Sequence, residues 1–422
     1  MTSRDKSPAQ EAGSGRSPSE GGAPQQKASW LGVTSLSVGV FALVMSEFLP
    51  ASLLSRVAAD LDVTEGVAGQ SVAITAIVAA ISGLIIPVVL SRIDRRHLMI
   101  ALSLLAVASD LLVAVAPSYP VLLAARVLLG IAIGGFWALA ISITARLVPA
   151  SRLGFGLTIV NVGVSLATVA AVPLGTLLGE IWGWRTVFAL AAGVGMIAVV
   201  LQVVALPSIP SVPSGGFRPL LQTLRSRLIQ VCLFSMALMG AGHFAGFTYI
   251  RPAADEVGGF DADQLAVLLL VYGVGIVVGN LVAGPLADRT LRIAALLFPL
   301  VLGLAMIAFA LTGGNAVALF AAAALWGVGF GALPTVISTW LARAEPRHLE
   351  SVGGLQTAVF QVAIALGAFV GGLLVDGVGV QSAVILGGLA AVLGAVILVV
   401  VKPRRPLGEE AAEGDIKGEV TV

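Results

Sequence analysis

Of 422 residues, 58% are hydrophobic and only 11% are charged, and the mean hydropathy is +1.01, a balance that excludes an ordinary water-soluble globular surface. A formal net charge of +1 makes no electrostatic case for a nucleic-acid partner, and the single cysteine, Cys232, excludes an intramolecular disulfide framework.

Residues 1–29 combine Gly, Ser, Pro, Gln and mixed charge, and read as a disordered cytoplasmic tail without a cleavable signal pattern. Apolar runs long enough to cross roughly 30 Å of hydrocarbon, which takes about 20 helical residues, then fall at 31–54, 69–90, 98–116, 121–144, 154–178 and 186–205. The polar stretch 206–227, with Pro207, Pro210, Pro213, Gly215 and Gly216, reads as a cytoplasmic linker. Six more runs follow at 228–250, 265–287, 293–312, 315–341, 353–375 and 380–401, and 403–422 is a second tail. Continuous apolar runs must satisfy their own backbone hydrogen bonds in lipid, which requires helices rather than a barrel. The expectation is an all-α integral membrane protein of twelve transmembrane helices, arranged as two pseudo-symmetric six-helix bundles at 30–205 and 228–402.

Positive charge sets the orientation. With both termini cytoplasmic, Arg92, Arg95, Arg96, Arg146, Arg152, Arg289, Arg292, Arg343 and Arg347 all lie on the inner face; only Arg56, Arg185 and Arg251 face out, and Arg126 is inside a helix. The outer loops are acidic instead, with Asp60, Asp62, Glu65, Asp255 and Glu256. An internal repeat supports two related halves. Gly130, Gly134, Arg146 and Pro149 recur as Gly327, Gly331, Arg343 and Pro346 at one shift of 197 residues, and Gly175-x-x-x-Gly179 is echoed by Gly367-x-x-x-Gly371.

An ionisable side chain inside hydrocarbon is costly enough to be a functional candidate wherever it occurs. Four stand within apolar sequence: Glu47, Asp110, Arg126 and His243. Counting helical rise places all four in the outer half of the membrane, where one cavity would hold them together. A shift of 196 also takes Glu47 to His243 and Phe48 to Phe244, so the carboxylate and imidazole would be symmetry mates across a central passage. Glu47 is the expected proton-coupling acid, with substrate and Arg126 competing for its carboxylate. Each residue also has a plainer reading: Glu47 as a solvated carboxylate near a helix end, Arg126 as a clamp between helices, Asp110 as a partner of a neighbour, and His243 as a hydrogen-bonded residue within the bundle. No His, Cys or carboxylate cluster has metal-ligand spacing, and no cofactor is implied.

The loop between the eighth and ninth spans reads Gly284-x-x-x-Asp288-Arg289-x-x-Arg292, the elements of a charge latch: a small residue for close packing, an acid for a cationic or helix N-terminal partner, and arginines at the inner interface. The corresponding first-half loop keeps Arg92, Arg95 and Arg96 but has Pro87 and Ser91 where Gly and Asp would stand, so a weaker latch is expected there. An ordinary arginine-rich inner loop is the alternative for both.

On these residues the chain resembles the major facilitator superfamily over about 30–402, through the Gly284-x-x-x-Asp288-Arg289 loop and Arg126-x-x-x-Gly130-x-x-x-Gly134. Among its members it is most similar to drug-and-metabolite proton antiporters, although their span-five Gly-Pro stands here as Val172-Pro173. The strings Glu47-Phe-Leu-Pro50, Glu65-Gly-Val-Ala-Gly-Gln-Ser-Val72, Gly134-Gly-Phe-Trp-Ala138, Arg146-Leu-Val-Pro149, Gly183-Trp-Arg185 and Phe247-Thr-Tyr-Ile-Arg-Pro252 resemble bacterial purine ribonucleoside exporters. The resemblance implies proton-coupled export of inosine- or guanosine-like solutes by a monomer in the bacterial inner membrane, with the halves rocking about glycines such as Gly130, Gly134 and Gly175. Trp137, Asn161, Tyr249, Tyr272, Trp326, Gln356 and Gln361 lie in spans that line the passage in this superfamily, and would supply aromatic faces and hydrogen-bonding partners for a base and ribose. Taken singly, each is equally a packing or interfacial residue. A multidrug or sugar antiporter would share the architecture; a membrane-embedded enzyme or receptor would need a catalytic constellation or sensory domain that the sequence does not display.

Overall fold

The structure, a computed structural model, describes residue 2 and residues 28–211, 216–259 and 262–400. The expected tails at 1–29 and 403–422 lie almost wholly outside the described residues. The first half comprises α1 (Trp30–Asp60), α2 (Glu65–Val89), α3 (Arg95–Ala114), α4 (Tyr119–Leu147), α5 (Leu153–Trp182) and α6 (Trp184–Ala205). The linker carries one short helix, α7 (Arg218–Arg225), and the second half comprises α8 (Arg227–Phe247), α9 (Ile250–Gly258), α10 (Ala262–Ala310), α11 (Ala316–Ala344), α12 (Leu349–Val378) and α13 (Val380–Val400).

Eleven helices among the described residues are long and apolar enough to cross a membrane. One of them, α10, has 49 residues and contains both the eighth and ninth expected spans, leaving helical geometry inside only at Thr290, with φ −144° and ψ 67°. The physical reason is local: from Leu286 to Phe298 there is no Gly or Pro to stop a helix, so a single distorted residue makes the corner. Counted this way, the spans are twelve. Two further differences from expectation are that α1 continues to Asp60, past Pro50, and that the segment after α8 folds into α9. Helix starts are capped where the sequence provides an acceptor: Thr64 Oγ1 accepts from the Val67 N–H, Asp94 Oδ1 from the Arg96 N–H, and Asn315 Oδ1 from the Ala318 N–H.

The two halves repeat one packing scheme. α1 packs on α5, α2 on α4 and α3 on α6; correspondingly α8 packs on α12, and α10 on both α11 and α13. The glycines of the repeat explain the shared geometry. A Cβ at Gly130 or Gly134 would meet backbone carbonyls of Thr75 or Ala79 on α2, and one at Gly327 or Gly331 would meet those of Tyr272 or Ile276 on α10. Close backbone approach at these crossings therefore requires small residues at the same two turns in each half. Gly175 is buried on α5, and its echo Gly367 abuts Ala241 of α8.

The halves meet through α12 against α2 and α4, and through α10 and α11 against α5. Close contacts include Gly354 on Gly83, Gly353 on Ala138 and Gly284 on Gly154. All lie toward the end of the bundle that carries the arginine-rich loops.

Candidate transport site

The first-half charges assemble around Ser46 on α1. Arg126, fully buried on α4, donates from Nη1 and Nη2 to the Ser46 carbonyl oxygen at 3.1 and 3.0 Å. The Ser46 hydroxyl donates to Asp110 Oδ2 on α3 at 2.5 Å. Glu47, the next residue along α1, lies within electrostatic reach of Arg126, and Gln361 of α12 stands close to its carboxylate. It is only partly buried, whereas Asp110 and Arg126 are enclosed. Three helices of one half thus place one guanidinium, itself bonded to the Ser46 carbonyl, within electrostatic reach of two carboxylates, and the more exposed carboxylate stands near Gln361 of the other half. Arg126 clamps α1 to α4 and serves as counter-ion at once.

His243 does not join this cluster, contrary to the expectation of one shared cavity. Its Nδ1 accepts from the Trp326 indole N–H at 3.0 Å, which requires that nitrogen to be unprotonated. Phe330 stacks on its ring at a centroid distance of 3.6 Å, with Phe244, Phe247 and Tyr272 completing an aromatic enclosure. The reason is chemical: an imidazole with one satisfied nitrogen is flat and apolar enough to pack as an aromatic ring, so helix symmetry does not oblige it to share the role of a carboxylate. Tyr272 and Trp326 are buried in the same enclosure. Phe244, Phe247, Phe330 and Phe360 are the partly exposed members of this aromatic group, with Phe244 touching Phe330 and Phe360 edge to face.

The other expected solute-contacting residues divide by location. Gln361 stands near Glu47, and Trp137 is partly buried on α4 beside the α12 contact. Asn161 belongs to a seam between the halves: its Nδ2 donates to Thr335 Oγ1 at 3.0 Å, Thr335 donates to Asn280 Oδ1 at 2.9 Å, and Asn280 Nδ2 donates to the Thr158 carbonyl at 3.2 Å. Gln356 pairs with Ser338 within the second half, and the Tyr249 hydroxyl donates to the Ala368 carbonyl at 3.1 Å.

Two latches join the halves near the arginine-rich loops. Asp288 accepts from the N–H groups of Gly154 and Phe155 at 2.7 and 2.9 Å, at the start of α5, with Arg343 at 3.5 Å. Gly284 fits against Gly154 one turn earlier. A carboxylate on orphan N–H groups at a helix N-terminus satisfies both bonding and the helix dipole. The first-half loop corrects the expectation of a weaker latch. Arg95, 1% exposed, forms a two-pronged bond to Glu350 at the start of α12, both contacts at 2.6 Å, and also donates to the carbonyls of Leu90 and Ile93. The charge pattern is inverted: in one latch the loop supplies the acid, in the other the base. Arg96 instead donates to the Val203 carbonyl on α6, and Arg92, Arg289 and Arg292 have no part in either latch among the bonds described.

Sequence reasoning missed Ser46, Glu350 and the phenylalanines. Glu350 three residues after Arg347 looks like any first-turn acid, and phenylalanine in an apolar run carries no contrast with its surroundings. Among the described residues, no group of three or more His, Cys, Asp or Glu is placed to hold a metal ion.

Comparison with known proteins converges on one family. The Major Facilitator Superfamily profile matches residues 36–260 and 252–421. The purine ribonucleoside efflux pump NepI of Salmonella paratyphi C is 39% identical over 369 residues, covering 87% of this chain and 93% of that protein. NepI of Salmonella enteritidis PT4 is 38% identical over the same shares. Among solved structures, the human organic anion transporter MFSD10 superposes with a TM-score of 0.71 at 17% identity, covering 89% of this chain and 100% of that one. The proton:xylose symporter XylE superposes with a TM-score of 0.66 at 16% identity over 87% and 95%. With the paired bundles and the Gly284–Arg289 loop already in place, the chain belongs to the major facilitator superfamily and is a multi-pass membrane transporter, not an enzyme.

Proposed function

We propose that this transporter exports purine ribonucleosides or closely similar solutes in exchange for protons, with Glu47 as the proton-carrying group. The observation that carries the reading is the Glu47 position. It is the partly exposed acid of a cluster in which two carboxylates lie within electrostatic reach of one guanidinium, and it stands near Gln361 across the interface between the halves. Two acids and one base leave a single negative charge in excess, which one proton or a competing ligand group neutralises at a place where net charge is costly. Loading Glu47 removes its electrostatic pull on Arg126 and changes what it offers to Gln361 nearby, linking protonation to the surroundings of the interface between the halves. The 39% identity to NepI supports the solute class. Phe244, Phe330 and Phe360 of the second half offer aromatic surface for a flat base, while Gln361 and Trp137 offer hydrogen-bonding groups.

In this reading the transporter works as a monomer in the bacterial inner membrane with both termini cytoplasmic. The packed arginine-rich end is then the inner face, closed by the two latches, and transport follows from the halves rocking about the site. The test is purified protein in liposomes under an imposed pH gradient, presented with labelled inosine, guanosine, a sugar and a cationic dye. Nucleoside moving against the proton gradient is the expected result. Dye or sugar moving while nucleosides stay put would overturn the substrate assignment. As a binding check, inosine is expected to quench tryptophan fluorescence in the wild type and not in Trp137→Ala.

A further inference from the structure

The linker helix α7 carries a surface that transport chemistry does not call for. Its residues Arg218–Arg225 make about 12 Å of helix, too short to hold its shape unaided in water. It packs on α8 and α12, and Thr223 is its one buried side chain. The opposite side carries two parallel stripes. Phe217, Leu221 and Leu224, spaced i, i+4 and i+7, form an apolar stripe that is 53%, 53% and 43% exposed. One residue further round, Arg218, Gln222 and Arg225 repeat that spacing as an exposed polar stripe.

The connection to α8 sets the depth of these stripes. Ser226, with extended ψ of 116°, is the single residue between α7 and α8, a helix long and apolar enough to cross a membrane. The Leu224 carbonyl accepts from Gln230 Nε2 at 2.9 Å, which pins the end of α7 to the first turn of α8. Gln230 shares an exposed face of α8 with Arg227 and Phe234, the last 56% exposed. The exposed apolar surface thus passes from a spanning helix to α7 at the level where the span leaves the hydrocarbon. Charge at this end is unbalanced as well. The four described acids here, Asp94, Asp288, Glu345 and Glu350, all have partners of their own. Among the described residues, Arg218, Arg225 and Arg227 take part in no ion pair.

We propose that α7 is a lipid-binding helix that lies in the membrane interface, with Phe217, Leu221 and Leu224 among the upper acyl chains and Arg218, Arg225 and Arg227 on the phosphates of anionic phospholipid. An apolar stripe with basic groups beside it is the pattern of a helix that lies on a membrane rather than across it. The stripe alone would take any lipid. The arginines add a preference for headgroups of net negative charge, about fivefold in affinity for each one. Because α7 joins the halves and leans on α12, whose first turn holds the latch acid Glu350, bound lipid steadies the linker against the second half. The binding depends neither on the solute nor on proton coupling, and only the naming of this leaflet as the cytoplasmic one rests on the orientation above.

Two measurements on the full chain test it. A fluorophore attached at Leu221→Cys, the native Cys232 being fully buried, should be quenched in a nanodisc by lipids brominated high on the acyl chain. No quenching places the stripe in water and overturns the proposal. In detergent, the same labelled protein stripped of lipid should shift its emission at a phosphatidylglycerol concentration at least tenfold below that needed of phosphatidylcholine, and added salt should narrow the gap. Arg218→Gln, Arg225→Gln and Arg227→Gln together should close it; these side chains are exposed, so the fold stands without them. Equal response to the two lipids, or a gap that survives the triple variant, overturns the proposal. So does a probe that responds only when the acids of 409–419 are neutralised, since the arginines would then hold the chain's own acidic terminus.

Discussion

Asp94 shows how a single loop residue stabilises the arginine-rich end. It accepts from the Arg96 and Ile209 N–H groups and from the Ser208 hydroxyl, tying α3 to the linker. Burial pushes its carboxyl upward, but the Ser208, Arg96 and Ile209 hydrogen bonds and the nearby His97 outweigh burial and hold it below its ordinary value of 3.8. A lowered folded-state value means the stabilisation is fully present above the ordinary value and is lost as pH falls through the lower one. Wild-type protein in detergent should therefore lose melting temperature on acidification below that point more steeply than Asp94→Asn; parallel curves would contradict the assignment. Trp326 poses a different question. Replacing it with Phe leaves the His243 Nδ1 acceptor buried and unpaired, which should lower stability by about 1–3 kcal/mol in thermal unfolding. Because both residues are fully buried, solute affinity should hold.

At the level of helices and loops, much was legible in the sequence. The apolar runs and the repeated glycines predicted the spans and the crossings, because each is a local consequence of lipid or of close backbone approach. The break between the eighth and ninth spans was legible too, but not that a single distorted residue, Thr290, makes the corner, since no Gly or Pro marks it. The inverted latch was hidden for another reason: Arg95 and Glu350 are 255 positions apart and only the fold makes them partners. Breaking a largely buried ion pair by removing one member costs about 3–5 kcal/mol, so Arg95→Ala should loosen the arginine-rich end. A double-mutant cycle with Glu350→Ala, read as accessibility of a cysteine placed in the α2–α12 seam, should return a strong coupling; additive effects would refute the pairing. Gly134→Val, forced against the Ala79 carbonyl, should destabilise the first half by about 1–3 kcal/mol, measurable by thermal unfolding.

For the whole molecule, the site was half visible before the fold was known. Glu47, Asp110 and Arg126 stood out because charge in hydrocarbon is expensive, and the structure brings those three together through Ser46. His243 stood out for the same reason but lies elsewhere, since an imidazole can be absorbed by aromatic packing. The cluster of phenylalanines was invisible because its grouping depends on which face of an apolar helix each ring occupies. What unites the account is a division of labour between halves: the first holds the charges, the second supplies Gln361 and the aromatic cluster, and the latches set how the two are joined. Glu47 sits where these meet. The decisive measurement compares Glu47→Gln with wild type in liposomes, reading both nucleoside flux driven by a pH gradient and nucleoside self-exchange at equal pH. The account predicts that the variant loses the gradient-driven flux and retains self-exchange; a variant that still concentrates nucleoside against its gradient when only protons drive it would contradict the central claim.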